Sequence, residues 1–186
     1  NGCTSLKSVD LSSLNTSSVT DMSYMFQNSG VTSLDLSSLE TYRATSMTAM
    51  FAGCAQLTSI TFGGAFETSN VTSMSDMFSG CSSLTSLDVS NFDTASVTSM
   101  TSMFEGCSSL ASLDVSSFDT SKAFQMAYMF RNCLKLTSLD LSNFDTTGYQ
   151  TMRDMFDGCS ALSSVTLGPN FSFKGSNTMA QTTLPT

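Results

Sequence analysis

The sequence predicts an α/β solenoid of about six coils, each 25–27 residues long and built from one short parallel strand and one short helical or 3₁₀ turn. Two observations predict it. Met25-Phe26, Met50-Phe51, Met77-Phe78, Met103-Phe104, Met129-Phe130 and Met155-Phe156 recur at intervals of 25, 27, 26, 26 and 26 residues, and a fixed period of this length marks a stacked array of repeats. The best-defined interval, Cys81 to Gly106, carries eight apolar framework positions: Leu84, Leu87, Val89, Phe92, Val97, Met100, Met103 and Phe104. Eight such side chains cannot enclose a core alone, so neighbouring intervals must stack to bury them.

Each element follows from spacing. In Leu84-Thr85-Ser86-Leu87-Asp88-Val89-Ser90 the L-x-x-L-x-L pattern of leucine-rich repeats turns Leu87 and Val89 inward and Asp88 outward, the alternation of a short strand. The same strand is expected near Leu6, Leu34, Leu57, Leu84, Leu110, Leu136 and Leu162, giving one continuous parallel sheet. Val97, Met100, Met103 and Phe104 then follow at steps of three and four, which suits a helical or 3₁₀ turn closing the coil. Gly106 supplies the exit. One interval is short because a residue is missing before Val31, with Ser29 where other coils have Cys; another is long because Gly63-Gly64 is inserted, a bulge or widened turn.

Two regions result. Residues 1–167 form the leucine-rich-repeat solenoid, and because Asn1-Gly2-Cys3-Thr4-Ser5-Leu6 matches Glu105-Gly106-Cys107-Ser108-Ser109-Leu110, the chain is expected to begin in mid-repeat as a piece of a longer array. Residues 168–186 are a closing strand, alternating through Phe171-Ser172-Phe173-Lys174, and a polar exit segment from Thr178.

Composition narrows the function. Among 186 residues 40% are apolar, enough for a real core, whereas 12% are charged, so Ser and Thr dominate the surface. Seven Lys and Arg and a net charge of −8 argue against nucleic acid, which needs clustered cations. No apolar run is long enough to insert into a membrane. His and Trp are absent, which removes the usual general base, a common metal ligand and the best stacking platform together. No Ser-His-Asp, Cys-His, phosphate-loop or metal-ligand set can be assembled, so no catalytic residue, cofactor or metal is expected.

The composite S-L-T-S-L-D-V-S-N-F-D-T-x-x-V-T-x-M-x-x-M-F-x-G-C, carried most completely by residues 83–107, resembles the BspA-like leucine-rich repeat surface proteins of host-associated bacteria and mycoplasmas. The match covers nearly the whole chain; Ser29 departs from Cys, Thr61 and Thr166 from Asp, and Ala44, Ala123 and Tyr149 from Val. The resemblance implies an extracellular protein attached to the bacterial cell surface through other segments, with adhesion to host matrix, host cells or other bacteria as its role.

Repeated and unrepeated positions divide the candidate chemistry. Cys3, Cys54, Cys81, Cys107, Cys133 and Cys159 share one repeat position and should form an inward column of free thiols, because parallel Cβ vectors do not give the dihedral of about 90° that a disulfide needs. Asp10, Asp35, Asp88, Asp114 and Asp140 should form an outward column, either tied to neighbouring hydroxyl and amide donors or holding a cation such as calcium. Asp93, Asp119 and Asp145, each before a Thr, look like turn formers, and the 13 Met residues like core filler. Specificity belongs where the repeat varies: Tyr24, Tyr42, Arg43, Lys122, Phe124, Tyr128, Arg131, Lys135, Tyr149, Gln150 and Arg153. Five of the seven basic residues lie from Lys122 onward, so the candidate ligand site is Tyr128, Arg131, Lys135, Tyr149 and Arg153. The leading expectation is a monomeric, non-catalytic cell-surface module that recognises an extracellular protein or glycan. A structural spacer projecting other domains is the alternative, and an ice-binding solenoid, suggested by Thr58, Thr85 and Thr137, is a third.

Overall fold

The computed structural model describes residues 2–148 and 151–172. Phe173, Lys174 and the exit segment from Thr178 lie outside the described residues, as does Tyr149. Successive intervals stack in register, one coil on the next. The core is a set of columns running along the stack, in which Met47, Met50, Phe51, Cys54 and Leu57, and their counterparts in the following coils, are sealed from solvent.

The expected α/β class is overturned. No helix forms among the described residues, and only four short strands are present: β1 (Ser33–Asp35), β2 (Ser59–Thr61), β3 (Ser138–Leu141) and β4 (Ser164–Leu167). They make two separate parallel pairs, β1 with β2 and β3 with β4, in place of one continuous sheet.

The helical turn fails for a backbone reason. In the six Met-Phe segments, Tyr24, Ala49, Asp76, Ser102, Tyr128 and Asp154 all have φ between 50° and 62°, and Asn28, Gly53, Gly80, Gly106, Asn132 and Gly158 follow four residues later, again with positive φ. A right-handed helix cannot pass through a left-handed residue every fourth position. The chain instead alternates two kinds of peptide. Met50 and Ala52 donate their N–H groups back three residues to Met47 and Ala49, closing single turns. The N–H groups of Met47, Ala49, Phe51 and Gly53 point out of the coil to the carbonyls of Ser73, Ser75, Met77 and Ser79 in the next one. The same four donors recur in every segment from Met22 to Asn132, always from the earlier coil to the later. Every second peptide therefore lies along the stack axis, accepting on one side and donating on the other. The steps of three and four between apolar residues reflect these turns rather than a helix.

Broken strand pairing has an electrostatic reason. Both pairs that form set Asp against Thr, Asp35 opposite Thr61 and Asp140 opposite Thr166. At three of the remaining junctions Asp would face Asp: Asp10 and Asp35, Asp88 and Asp114, Asp114 and Asp140. Like charges directly opposed across a ladder destabilise it. At the fourth, between Thr61 and Asp88, the inserted Gly63-Gly64 widens the turn.

Three further columns hold the coils in register. Phe26, Phe51, Phe78, Phe104, Phe130 and Phe156 stack with rings within 11° of parallel and centroids 5.3–6.0 Å apart, each pair worth roughly 0.5–1.5 kcal/mol beyond burial. Thr16, Thr68, Thr94, Thr120 and Thr146 are buried, and each hydroxyl both donates to a carbonyl and accepts the N–H of one residue in the next coil. Ser23, Ser46, Thr48, Ser73, Ser75 and Ser99 form a continuous zigzag of hydroxyl contacts of 2.6–3.5 Å across the first four segments.

The glycine column gives a test. At Gly106 an added Cβ would meet only ordinary contacts with Gly80 at 3.6 Å, so Gly106→Ala carries chiefly the left-handed backbone cost, about 1–2 kcal/mol. At Gly53 the added Cβ would overlap Oδ1 of Asn28. Gly53→Ala should therefore lower the unfolding free energy more than Gly106→Ala. The double variant Asn28→Gly/Gly53→Ala should return to the Gly106→Ala level in denaturant titrations.

Candidate functional site

Repeated positions are committed to stacking. Cys54, Cys81, Cys107, Cys133 and Cys159 are buried, and each Sγ–H donates to a Phe carbonyl, those of Phe26, Phe51, Phe78, Phe104 and Phe130, at 2.9–3.2 Å. Desolvation raises these thiols, Cys133 to about 12 and Cys159 to about 11, so they stay protonated. Cys3 departs from the expected inward column and is exposed, because no coil among the described residues lies over it. A thiol reagent should accordingly titrate one of the six cysteines in the native protein and all six after unfolding.

The aspartate column is likewise occupied locally. Oδ1 of Asp10, Asp35, Asp88, Asp114 and Asp140 accepts the N–H of the Ser two residues on, at 2.9–3.0 Å. Asp119 and Asp145 close the same turn with Ser121 and Thr147, as does Asp93 with Ala95. No group of three or more His, Cys, Asp or Glu among the described residues is placed to hold a metal ion. These hydrogen bonds, and the one Asp21 accepts from Ser23 N–H, lower the carboxyls of Asp10, Asp21, Asp35, Asp88, Asp114, Asp119, Asp140 and Asp145, whereas burial raises that of Asp76. A depressed carboxyl stabilises the fold above its ordinary value near 4 and loses that contribution as pH falls through the lowered one. Asp76 acts oppositely and is outnumbered. Thermal unfolding should thus drop as pH falls from about 5 to about 2. At neutral pH Asp114→Asn, which keeps an accepting oxygen but loses the charge that strengthens its bonds to Ser116, should unfold at a lower temperature than the parent, because those bonds outweigh the repulsion from Asp88.

Variable side chains gather on the face of the Met-Phe segments. Three adjacent columns form it, which in the first four coils read Ser23, Tyr24, Gln27; Thr48, Ala49, Ala52; Ser75, Asp76, Ser79; and Thr101, Ser102, Glu105. In the fifth and sixth they read Ala127, Tyr128, Arg131 and Arg153, Asp154, Asp157. The hydroxyl zigzag that lines this face stops at Ser99, where Gln125 and Ala127 replace Ser and Thr. Beyond that break the face carries its only arginines, beside a tyrosine. Tyr128 projects from a left-handed residue at φ 62°, with the guanidinium of Arg131 5.3 Å and that of Arg153 5.9 Å from its ring centroid. Arg131 spans three coils, pairing with Glu105 at 3.6 Å and Asp157 at 3.2 Å, and Arg153 Nε donates to Asp154 Oδ2 at 3.0 Å. Both arginine side chains remain substantially exposed, at 39% and 69%.

Three of the five sequence-predicted site residues thus meet: Tyr128, Arg131 and Arg153. Lys135 is exposed and makes no hydrogen bond, ion pair or ring contact with them, and Tyr149 lies outside the described residues. Glu105, Asp154 and Asp157 were not anticipated; their signal is that they share Arg131's and Tyr128's repeat positions, one coil away. Tyr24 and Phe124 are half exposed, and Tyr42 carries the Arg43 guanidinium 5.7 Å from its ring, as separate single residues.

A family model described as a Mycoplasma protein of unknown function, DUF285, matches residues 1–63 and 59–168. The chain belongs to that family. The two matched spans each cover several stacked coils and together run from the first residue to just past β4. No curated protein and no solved structure matches the chain. DUF285 membership carries the repeat architecture and assigns no ligand or reaction. Among the described residues no helix is long and apolar enough to cross a membrane.

Proposed function

We propose that this DUF285 chain is a non-catalytic recognition module of the bacterial cell surface, and that the aromatic and basic cluster around Tyr128 is where it contacts an extracellular protein or glycan. The finer resemblance to BspA-like surface proteins supports the same reading, including an extracellular location reached through other segments and a role in adhesion. One observation carries it. A line of mutually bonded hydroxyls runs along the face for four coils, and where that line ends a tyrosine and two exposed arginines converge. Tyr and Arg are the side chains that dominate binding energy at interfaces, since each offers a large apolar surface and a polar tip at small entropic cost.

The pairing of Arg131 and Arg153 with Glu105, Asp157 and Asp154 does not account for the cluster as a stability device. Exposed ion pairs contribute about 0–1 kcal/mol, little beside the buried columns beneath. Their effect is to hold both guanidiniums near Tyr128 before any ligand arrives, which lowers the entropy lost on binding. A spacer role would leave such a cluster without use.

Arrays of extracellular-matrix proteins and glycans probed with the parent and with Tyr128→Ala/Arg131→Ala/Arg153→Ala test the proposal. The parent should bind at least one class saturably, and the triple variant should lose more than tenfold in affinity while its thermal midpoint shifts by only a few degrees. Failure of the parent to bind any ligand of either class would instead favour a spacer.

A further inference from the structure

The Gly63-Gly64 insertion does more than lengthen a turn. Beside it lies an open groove of about 360 Å³ on the strand side of the stack, away from the Tyr128 cluster, with Ile60 and Phe62 as its floor and Thr61, Asp88 and Asn91 at its rim. Leu11, Leu36, Val89, Val115 and Leu141, the residues equivalent to Phe62 in the other coils before the last, are buried, whereas Leu167 in the last coil is exposed. Phe62 is only partly buried: its ring packs against Phe66 at 4.8 Å and Phe92 at 5.1 Å and meets Phe51 and Phe78 edge-on at 6.4 Å, and its remaining surface lines the groove.

The rim carries hydrogen-bonding groups that the repeat normally uses up. In other coils the side chain equivalent to Asn91 reaches back to the preceding coil: Ser38 donates to Leu11, Ser117 to Val89, and Asn143 to the carbonyls of Val115, Ser116 and Phe118. Asn91 has no such bond, because the inserted glycines have carried the preceding turn out of its reach. Asp88 accepts from Ser90, as the other aspartates of its column do from their serines, and its carboxylate stays exposed at the rim; the Thr61 hydroxyl has no partner among the described residues.

We propose that this groove is a second binding site, for a neutral saccharide unit. It rests on the recognition reading of the chain but uses a different face. The chemistry matches ring by rim. A pyranose has an apolar C–H face that suits Phe62 and Ile60, and peripheral hydroxyls that both donate and accept, as a carboxylate, a carboxamide and a hydroxyl together require. The Asp88 carboxylate, with Asp114 stacked next to it, repels anionic sugars and phosphates. A peptide strand would seek a row of backbone donors and acceptors, whereas this rim is made of side chains.

Gly64 provides the blocking variant, since an added Cβ there meets nothing within 4 Å and its φ is not left-handed. Chemical-shift titrations of the 186-residue chain with galactose, mannose, N-acetylglucosamine, lactose and chitobiose would read the site. The expected result is saturable shifts at Asn91 and Phe62 for at least one neutral sugar, abolished in Gly64→Phe, weakened at least tenfold in Asn91→Ala, and retained in the Tyr128/Arg131/Arg153 triple variant. Absence of saturable shifts with every sugar overturns the inference, as does binding that survives Gly64→Phe. Sugar binding lost in the triple variant but kept in Gly64→Phe also overturns it, while leaving the Tyr128 site standing.

Discussion

Every second peptide in the six Met-Phe segments lies along the stack axis, and the rest of the molecule depends on that orientation. It requires a left-handed residue at alternate turns, which is why Gly or Asn recurs at Asn28, Gly53, Gly80, Gly106, Asn132 and Gly158. In return, each of the first five segments gives four N–H groups to the next in one direction, as peptides within a helix do along its axis. The peptide chains that a helix closes within one segment are here closed between segments. Cohesion is therefore a property of the stack, and a single coil has neither a core nor satisfied backbone.

The columns of side chains follow from this. Coils locked at every second peptide place identical positions directly over one another, so Phe stacks on Phe and each buried Thr meets the same backbone pair one coil on. Each thiol likewise finds a Phe carbonyl. Repetition suits apolar and hydroxyl groups, which gain by stacking on their own kind. It penalises carboxylates, and the strands pair only where Thr relieves the Asp column. The buried columns leave two places free to differ: the outer face of the Met-Phe segments and the turn after the strand.

Much of this was legible in the residues, and the failures have a common cause. The period, the inward thiols from Cys54 onward and the local capping of the aspartates all follow from composition and spacing. Val97, Met100, Met103 and Phe104 suggested a helix because buried side chains at three- and four-residue steps report which way residues face, not how the backbone gets there. Ser102 in a left-handed conformation satisfies the same steps without a helix. The L-x-x-L-x-L pattern predicts a continuous sheet because it reports which side chains face inward, and donors that cap each aspartate locally do not remove the repulsion of Asp against Asp across a junction. At the candidate site, Tyr128, Arg131 and Arg153 were recognisable as departures from the repeat, but their acidic partners emerge only when residues about 26 apart are set side by side. Lys135 departs from the repeat too, yet sits apart, since variation alone does not say which column a residue occupies.

Through-hydrogen-bond couplings between amide nitrogen and carbonyl carbon, measured by NMR on the isotopically labelled chain, would test the central claim most directly. The account predicts couplings from Met47, Ala49, Phe51 and Gly53 to Ser73, Ser75, Met77 and Ser79, repeated in each later segment. Couplings from these amides to carbonyls four residues earlier in the same coil would contradict it and restore a helical turn.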